Sequence, residues 1–180
     1  MTPRFHYSRG KHPPHYVEPQ LNLMTTELRI IQMVEKDWQK IAELAVERVH
    51  QDPETPNYRS LTDQELMVRA KDLLANLGQW LNHQDDGLLN RRYEGLGRRR
   101  FQDGFPLHEV VYKLQLLKRT IIDYARDQHL EVTAVELYAE QQFLQRLDQF
   151  FERIVYRVVK GYSVQGLAAF PCEPSLAHAS

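Results

Sequence analysis

Cysteine is almost absent from this chain of 180 residues, which contains one, Cys172. A single thiol excludes an internal disulfide and a cysteine-rich metal site. Glycine and proline are also scarce, at 8 and 9 residues, which disfavours a fold with many turns and strands. The longest apolar stretch near the end, residues 166–170, is far too short to span a bilayer. We therefore expect no contact with a membrane.

The chain also has no excess of positive or negative charge, because 23 Lys and Arg residues nearly balance 24 Asp and Glu residues. A nucleic-acid-binding protein usually carries a clear basic excess, so we expect no nucleic-acid partner. Residues 1–20 contain several prolines and histidines but no apolar run, and they are therefore not a signal peptide. A cytoplasmic protein is the default expectation.

Apolar residues recur at steps of three and four through most of the chain, which is the pattern of amphipathic helices. Thr62 with Glu65 and Thr133 with Glu136 have the spacing of capping boxes that open helices. No stretch alternates for long enough to predict a strand. The sequence therefore predicts an all-α fold of five helices, with a long first and a long last helix. The predicted helices span residues 26–51, 62–83, 88–101, 106–128 and 133–162.

The two ends of the chain lack this periodicity. Residues 1–24 are predicted to form a flexible arm, and residues 164–180, which contain Pro171 and Pro174, a flexible tail. The helical domain is expected to occupy residues 25–163.

The last predicted helix is apolar on more than one face, and such a helix needs two partners. The second partner is either a neighbouring helix of the same chain or a second copy of the chain. We favour a homodimer built from the terminal helices. The candidate interface residues are Trp38, Phe143, Phe150 and Ile154.

The sequence contains no complete catalytic motif among those considered. His108 and Glu109 begin a zinc-hydrolase motif, but Tyr112 stands where the second histidine is required. The residues after His108 also do not match the phosphoryl-accepting patterns of sensor kinases or phosphotransfer domains. No phosphate-binding loop or nucleophile motif is present. We therefore predict no catalytic residue and no metal site, and a surface position for His108.

An arginine run is the largest charge feature. Arg91 and Arg98 share one helix face, and Arg92 and Arg99 share the next. These four side chains form a candidate patch for a phosphate or another anion. The alternative is a solvated or salt-bridged face, which is the commoner fate of such a run.

Residues 93–112 carry a resemblance to a known family. A helix containing Gly97 and Arg98 is followed by Gly104 and then by Pro106 and Leu107, which open the next apolar helix. This stretch resembles the N-terminal domain of RsbR-type stress-signalling proteins, the RsbT co-antagonists. The likeness covers about residues 38–159. In this interpretation Gly97, Gly104 and Pro106 set the turn between the two helices.

The resemblance implies a globin-like, dimeric fold without haem that signals by a conformational change in its last helix. The chain ends at Ser180, so we expect it to act through a separate signalling partner, or to have lost an output module. In a globin order the helix over 88–101 would hold the haem ligand, and Tyr93 is its one weak candidate. We therefore expect no cofactor; the alternative is a haem- or small-ligand-binding globin relative.

Overall fold

The computed structural model describes residues 18–82, 86–128 and 133–169 of the chain. All regular structure in these ranges is helical, which confirms the predicted all-α class. The number of α-helices there is seven rather than five. They are α1 (Glu18–Lys36), α2 (Trp38–Gln51), α3 (Asp63–Ala75), α4 (Leu77–Asn82), α5 (Asp86–Gln102), α6 (Leu107–Asp127) and α7 (Ala134–Ala169), with a 3₁₀ turn at Tyr58–Ser60.

The predicted first helix is divided into α1 and α2 at Asp37. Helical hydrogen bonds continue across the break, since Asp37 N–H donates to Met33 O (2.9 Å) and Ile41 N–H donates to Asp37 O (3.2 Å). The Tyr124 hydroxyl of α6 donates to Asp37 Oδ2 at 3.0 Å. The apolar stripe thus keeps its period through the bend, which is why periodicity alone predicted one helix.

The predicted second helix is likewise divided, into α3 and α4. Its start is as predicted, because Thr62 and Glu65 form both hydrogen bonds of a capping box. The break falls at Asn76, whose side-chain amide donates to Asp72 O at 3.0 Å. Beyond the break, Gly78 N–H donates to the Glu35 carboxylate of α1 at 2.8 Å. A distant carboxylate therefore takes up a donor that the interrupted helix leaves free.

The turn between α5 and α6 forms where the sequence predicts it. Gly104 adopts a φ of 76°, a conformation that glycine reaches without steric cost. Pro106, predicted as the first helical residue, is instead the N-cap of α6, which begins one residue later at Leu107. Phe105, between the two, is buried and its ring lies 4.6 Å from that of Tyr58.

The buried carboxylate of Glu109 fixes the 3₁₀ turn against α6. It accepts hydrogen bonds from Asn57 N–H (3.0 Å) and from the Asn57 side-chain amide (2.5 Å). Glu109 is 1% exposed, and a buried carboxylate requires such donors. This attachment sets the position of Tyr58.

Helix α7 is the longest element, with 36 residues, or about 54 Å. Thr133 and Glu136 form the predicted capping box at its start. The helix contributes the centre of the core and extends to Ala169, six residues into the expected tail. Helix α1 begins at Glu18, inside the expected arm. The rest of the predicted arm and tail, residues 1–17 and 170–180, lies outside the described residues.

Candidate functional site

A cleft with a volume of about 710 Å³ opens between α3, α5 and α6. This volume lies within the usual range for small-molecule sites, about 300–1,000 Å³. Tyr58, which follows the Asn57 bound by Glu109 and whose ring is tilted by 45° against that of Phe105, also lines the cleft.

Most of the cleft lining is apolar, and it comes from all three helices. These apolar side chains form its floor; most of them belong to the core, but Val68 and Leu88 are largely exposed. The apolar lining residues are Val68 and Leu73 of α3, Leu88, Tyr93 and Leu96 of α5, and Val110, Leu114 and Leu117 of α6.

Six cationic side chains also line the cleft: Arg69, Arg91, Arg92, Arg99, Arg100 and Lys113. The one acidic residue of the lining is Asp103, which pairs with Arg100 at 2.7 Å. Arg92 pairs with Asp72, just outside the cleft, at 2.5 Å. The remaining four cations form no ion pair with any residue that the structure describes, so the cleft carries a net positive charge.

The innermost cations are crowded. Arg69 Nη1 is buried and has no hydrogen-bond partner among the described residues. Arg100 is 7% exposed, and its guanidinium lies over the Phe105 ring at 5.1 Å. Burial, and then the charges of Arg100 and Arg69, lower the pKa of Lys113 to about 8. Desolvation and the like charges of their neighbours thus disfavour the charged forms of these side chains.

The predicted anion patch corresponds partly to this cleft. Arg91, Arg92 and Arg99 line it, but Arg98 does not. Sequence reasoning missed Arg69, Arg100 and Lys113. A signal for Arg100 was present, because this charged residue continues the apolar stripe of α5 through Tyr93 and Leu96. Arg69 and Lys113 become part of the site only when α3 and α6 face α5.

Tyr93, the weak haem-ligand candidate, is 4% exposed and lines the cleft. Its ring makes edge contacts with Trp80 and Phe150, at centroid distances of 6.2 Å each. Burial raises the pKa of Tyr93, so the phenolate that binds iron is disfavoured. The lining contains no His, Cys or Met. These residues therefore do not fit a haem iron.

Gly97 does not lie in the turn before α6, contrary to our expectation. It lies within α5 and is buried against α7. A Cβ at Gly97 would lie 2.1 Å from Val158 O, and a Cβ at Gly161 would lie 2.1 Å from Glu94 O. The two backbones therefore touch, and two reciprocal glycines allow this contact.

The motif residues around this contact lie in a region that matches a known protein family. The family model described as the RsbT co-antagonist protein rsbRD N-terminal domain matches residues 39–168. The chain is a member of this family. The match covers α2 to α7 almost completely, including all cleft-lining residues. No curated protein and no solved structure was found to match the chain.

The predicted dimer residues of this RsbRD N-terminal domain lie elsewhere than expected. Phe143, Phe150 and Ile154 are 0%, 2% and 0% exposed, in the core of a single chain. The second apolar face of α7 is covered by the chain's own helices. Trp38 is partly buried, with Lys71 Nζ 5.3 Å from its ring centroid. The interpretation that these side chains form an intermolecular surface was therefore wrong for the three α7 residues.

His108 is exposed at the start of α6, as predicted. No cluster of three or more His, Cys, Asp or Glu side chains suited to a metal occurs in the described ranges. None of the described helices combines the length and apolar character needed to cross a membrane.

Proposed function

We propose that this chain is a non-enzymatic sensory domain of a bacterial stress-signalling pathway, in which occupancy of the cleft changes the packing of α7. Membership of the RsbRD N-terminal family supports the regulatory role. The observation that carries the mechanism is the double glycine contact, because it joins a wall of the cleft to the longest helix of the domain.

Helix α5 lines the cleft on one face and contacts α7 on another. Tyr93 and Leu96 face the cleft, whereas Gly97 faces α7. Glu94 also binds α7, through Lys160 Nζ at 3.1 Å and Arg157 Nη1 at 3.5 Å. Backbones in direct contact leave no soft side chain to absorb a shift. A ligand that displaces α5 therefore displaces α7 as well.

The signal is received by a separate protein in the cytoplasm, and the family description points to an RsbT-type partner. Binding of such a partner is the direct test. Isothermal titration of the full chain with an RsbT-type protein from the same organism is expected to show a complex. Gly97→Ala is expected to weaken it, and Gly95→Ala, whose Cβ meets only the flexible side chains of Arg99 and Arg98, is the matched control. No complex with the wild-type chain would refute this partner.

The dimer remains part of the proposal, with a different surface. Tyr156 of α7 is 62% exposed and Val164 is 51% exposed, so neither is used by the core. Light scattering is expected to give a dimer for the wild-type chain and a monomer for Tyr156→Glu. Leu137→Glu, at a position of α7 that is 58% exposed, is the control. A monomeric wild-type chain would remove the dimer from the mechanism.

The proposed ligand is a small molecule rather than haem. The cleft lies between α3 and α5, the helices that would take the distal and proximal positions if the fold followed a globin order. The cleft lining contains no His, Cys or Met side chain to bind a haem iron. Reconstitution with haemin is expected to give no sharp Soret band; a band that Tyr93→Phe abolishes would favour the haem alternative.

A further inference from the structure

The cleft combines an apolar floor with cationic side chains that have no ion-pair partner in the described part of the chain. Its floor is apolar, and four of its cations, Arg69, Arg91, Arg99 and Lys113, form no ion pair with the described residues. Unpaired charges on a solvated surface are ordinary, but Arg69 and Lys113 are partly buried beside Arg100. Charge of one sign in a partly buried site attracts a counter-charge.

The buried nitrogen of Arg69 identifies where that counter-charge belongs. Arg69 Nη1 lacks a hydrogen-bond acceptor among the described residues, and an unsatisfied buried donor destabilises a protein. The charge of Arg100 acts on both Arg69 and Lys113. These three cations therefore surround one region of the cleft, at the junction of α3, α5 and α6. A carboxylate or phosphate there would accept charge-assisted hydrogen bonds from them.

The apolar floor decides between two kinds of anion. A fully polar anion, such as inorganic phosphate, would leave Val68 and Leu88, which are 64% and 41% exposed, in contact with water. An anion with an apolar body covers them and gains the free energy of their burial. The observed lining therefore favours a ligand with one charged end and one apolar end.

We propose that the cleft binds an amphipathic organic anion, with its carboxylate or phosphate head between Arg69, Arg100 and Lys113 and its apolar body along Val68 of α3 and Leu88 of α5. Neither the family description nor the sequence analysis specifies this ligand class. The proposal that this ligand binds depends only on the residues of the cleft, whereas a regulatory effect of binding rests on the proposed function.

Lys113 provides a readout that plain hydrophobic binding would not produce. Its pKa is lowered to about 8 by burial and by the like charges of Arg100 and Arg69. Asp103 is the one carboxylate of the lining, and it is already paired with Arg100. An anion bound next to Lys113 raises this pKa, so binding near pH 8 is accompanied by proton uptake. Calorimetry in two buffers of different ionisation enthalpy measures that uptake.

The test uses the full chain and decanoate as the probe, with decyl phosphate in parallel to distinguish the two heads. At least one of the two is expected to bind, with proton uptake at pH 8. Decan-1-ol, which lacks the charge, and acetate, which lacks the apolar body, are each expected to bind at least about tenfold more weakly. Equal binding of decan-1-ol would contradict an anion site, and equal binding of acetate would contradict a role for the floor.

Two variants locate the head. Lys113→Met and Arg69→Gln are each expected to weaken binding about tenfold, and Lys113→Met is also expected to abolish proton uptake. Lys113→Met keeps the length of the side chain and removes a disfavoured charge, so it is expected to fold. Arg98→Gln, on the same helix as the cleft arginines but outside the lining, is the matched control. The proposal is wrong if neither amphiphile binds or if Arg98→Gln loses as much affinity as the cleft variants.

These outcomes are separable from those of the proposed function. Binding of decanoate without any effect on partner association would leave the site and remove its regulatory role. Partner association without binding of either amphiphile would leave the regulatory domain and remove this ligand class.

Discussion

Gly97 of α5 lies directly against the backbone carbonyl of Val158 of α7, where a Cβ would approach its oxygen to 2.1 Å. Side chains normally separate two packed helices by 8–10 Å between axes. Here backbone meets backbone, so we expect a shift of α5, which forms a wall of the cleft, to shift α7 as well.

Replacing Gly97 by alanine tests this contact. The added methyl group meets backbone atoms of Val158 and Tyr162, which cannot rotate away, so α5 and α7 must separate. We expect Gly97→Ala to lower the free energy of unfolding by about 1–3 kcal/mol, as overpacked positions do. Urea denaturation measures the change.

Gly95→Ala is the control for that experiment. Its Cβ would meet the flexible Arg99 side chain at 3.4 Å and no backbone. Alanine also has the higher helix propensity, so this variant is expected to be neutral or up to about 1 kcal/mol more stable. Equal destabilisation at both glycines would show that helix propensity or general crowding, not the close contact, is being measured.

Phe150→Ala tests whether this residue belongs to the core of one chain. Phe150 is 2% exposed and contacts the rings of Tyr93 and Phe151. Truncating such a side chain typically costs about 3–5 kcal/mol. Leu137→Ala, at an exposed position of the same helix, is expected to change stability by less than about 0.5 kcal/mol. A Phe150→Asp variant that remains folded as a monomer would restore the interface interpretation.

Glu109→Ala tests how the 3₁₀ turn that carries Tyr58 is held. The buried carboxylate satisfies two donors of Asn57, and its removal is expected to destabilise the chain by about 1–3 kcal/mol. Because Tyr58 follows Asn57, the variant should also increase hydrogen exchange at residues 57–60. Glu43→Ala, at an exposed position of α2, controls for the loss of a carboxylate. An unchanged 3₁₀ turn in Glu109→Ala would contradict the assigned role.

The pH dependence of Lys113→Met tests the electrostatic description. The pKa of Lys113 is lowered to about 8 by burial, with an ordinary value of 10.5. Below pH 8 the folded chain contains the disfavoured ammonium, so the methionine variant should be more stable than wild type. Between pH 8 and 10.5 the folded lysine loses its proton before the unfolded one, and the wild type recovers stability.

Urea denaturation of both proteins at pH 7 and pH 10 measures this difference, in which other titrating groups cancel. The advantage of the methionine variant should shrink as the pH rises. An advantage that is the same at both values would mean that Lys113 is not held in a charge-disfavouring environment.

Local signals in the sequence predicted much of the fold. Thr62 and Thr133 open helices because a capping box is complete within four residues, and Gly104 turns the chain because its own backbone permits a positive φ. The breaks at Asp37 and Asn76 were not predictable in this way. Hydrogen bonds across the first break preserve the apolar period, and the groups that accompany the breaks, Tyr124 and Glu35, come from distant helices.

The candidate site was predictable only in part, for a related reason. Arg91, Arg92 and Arg99 stood out as a run, but Arg69 and Lys113 join them only through tertiary packing. The misplaced dimer surface shows the same limit. An apolar stripe through Phe143 and Phe150 indicates that a partner exists, but not whether the partner belongs to the same chain.

Hydrogen exchange of α7, measured with and without saturating decanoate, tests most directly whether the cleft communicates with the central helix. The account predicts altered exchange around residues 154–165 in the wild-type chain, and no such change in Lys113→Met at the same decanoate concentration. A change confined to α3, α5 and α6, with the α7 amides unaffected, would contradict it.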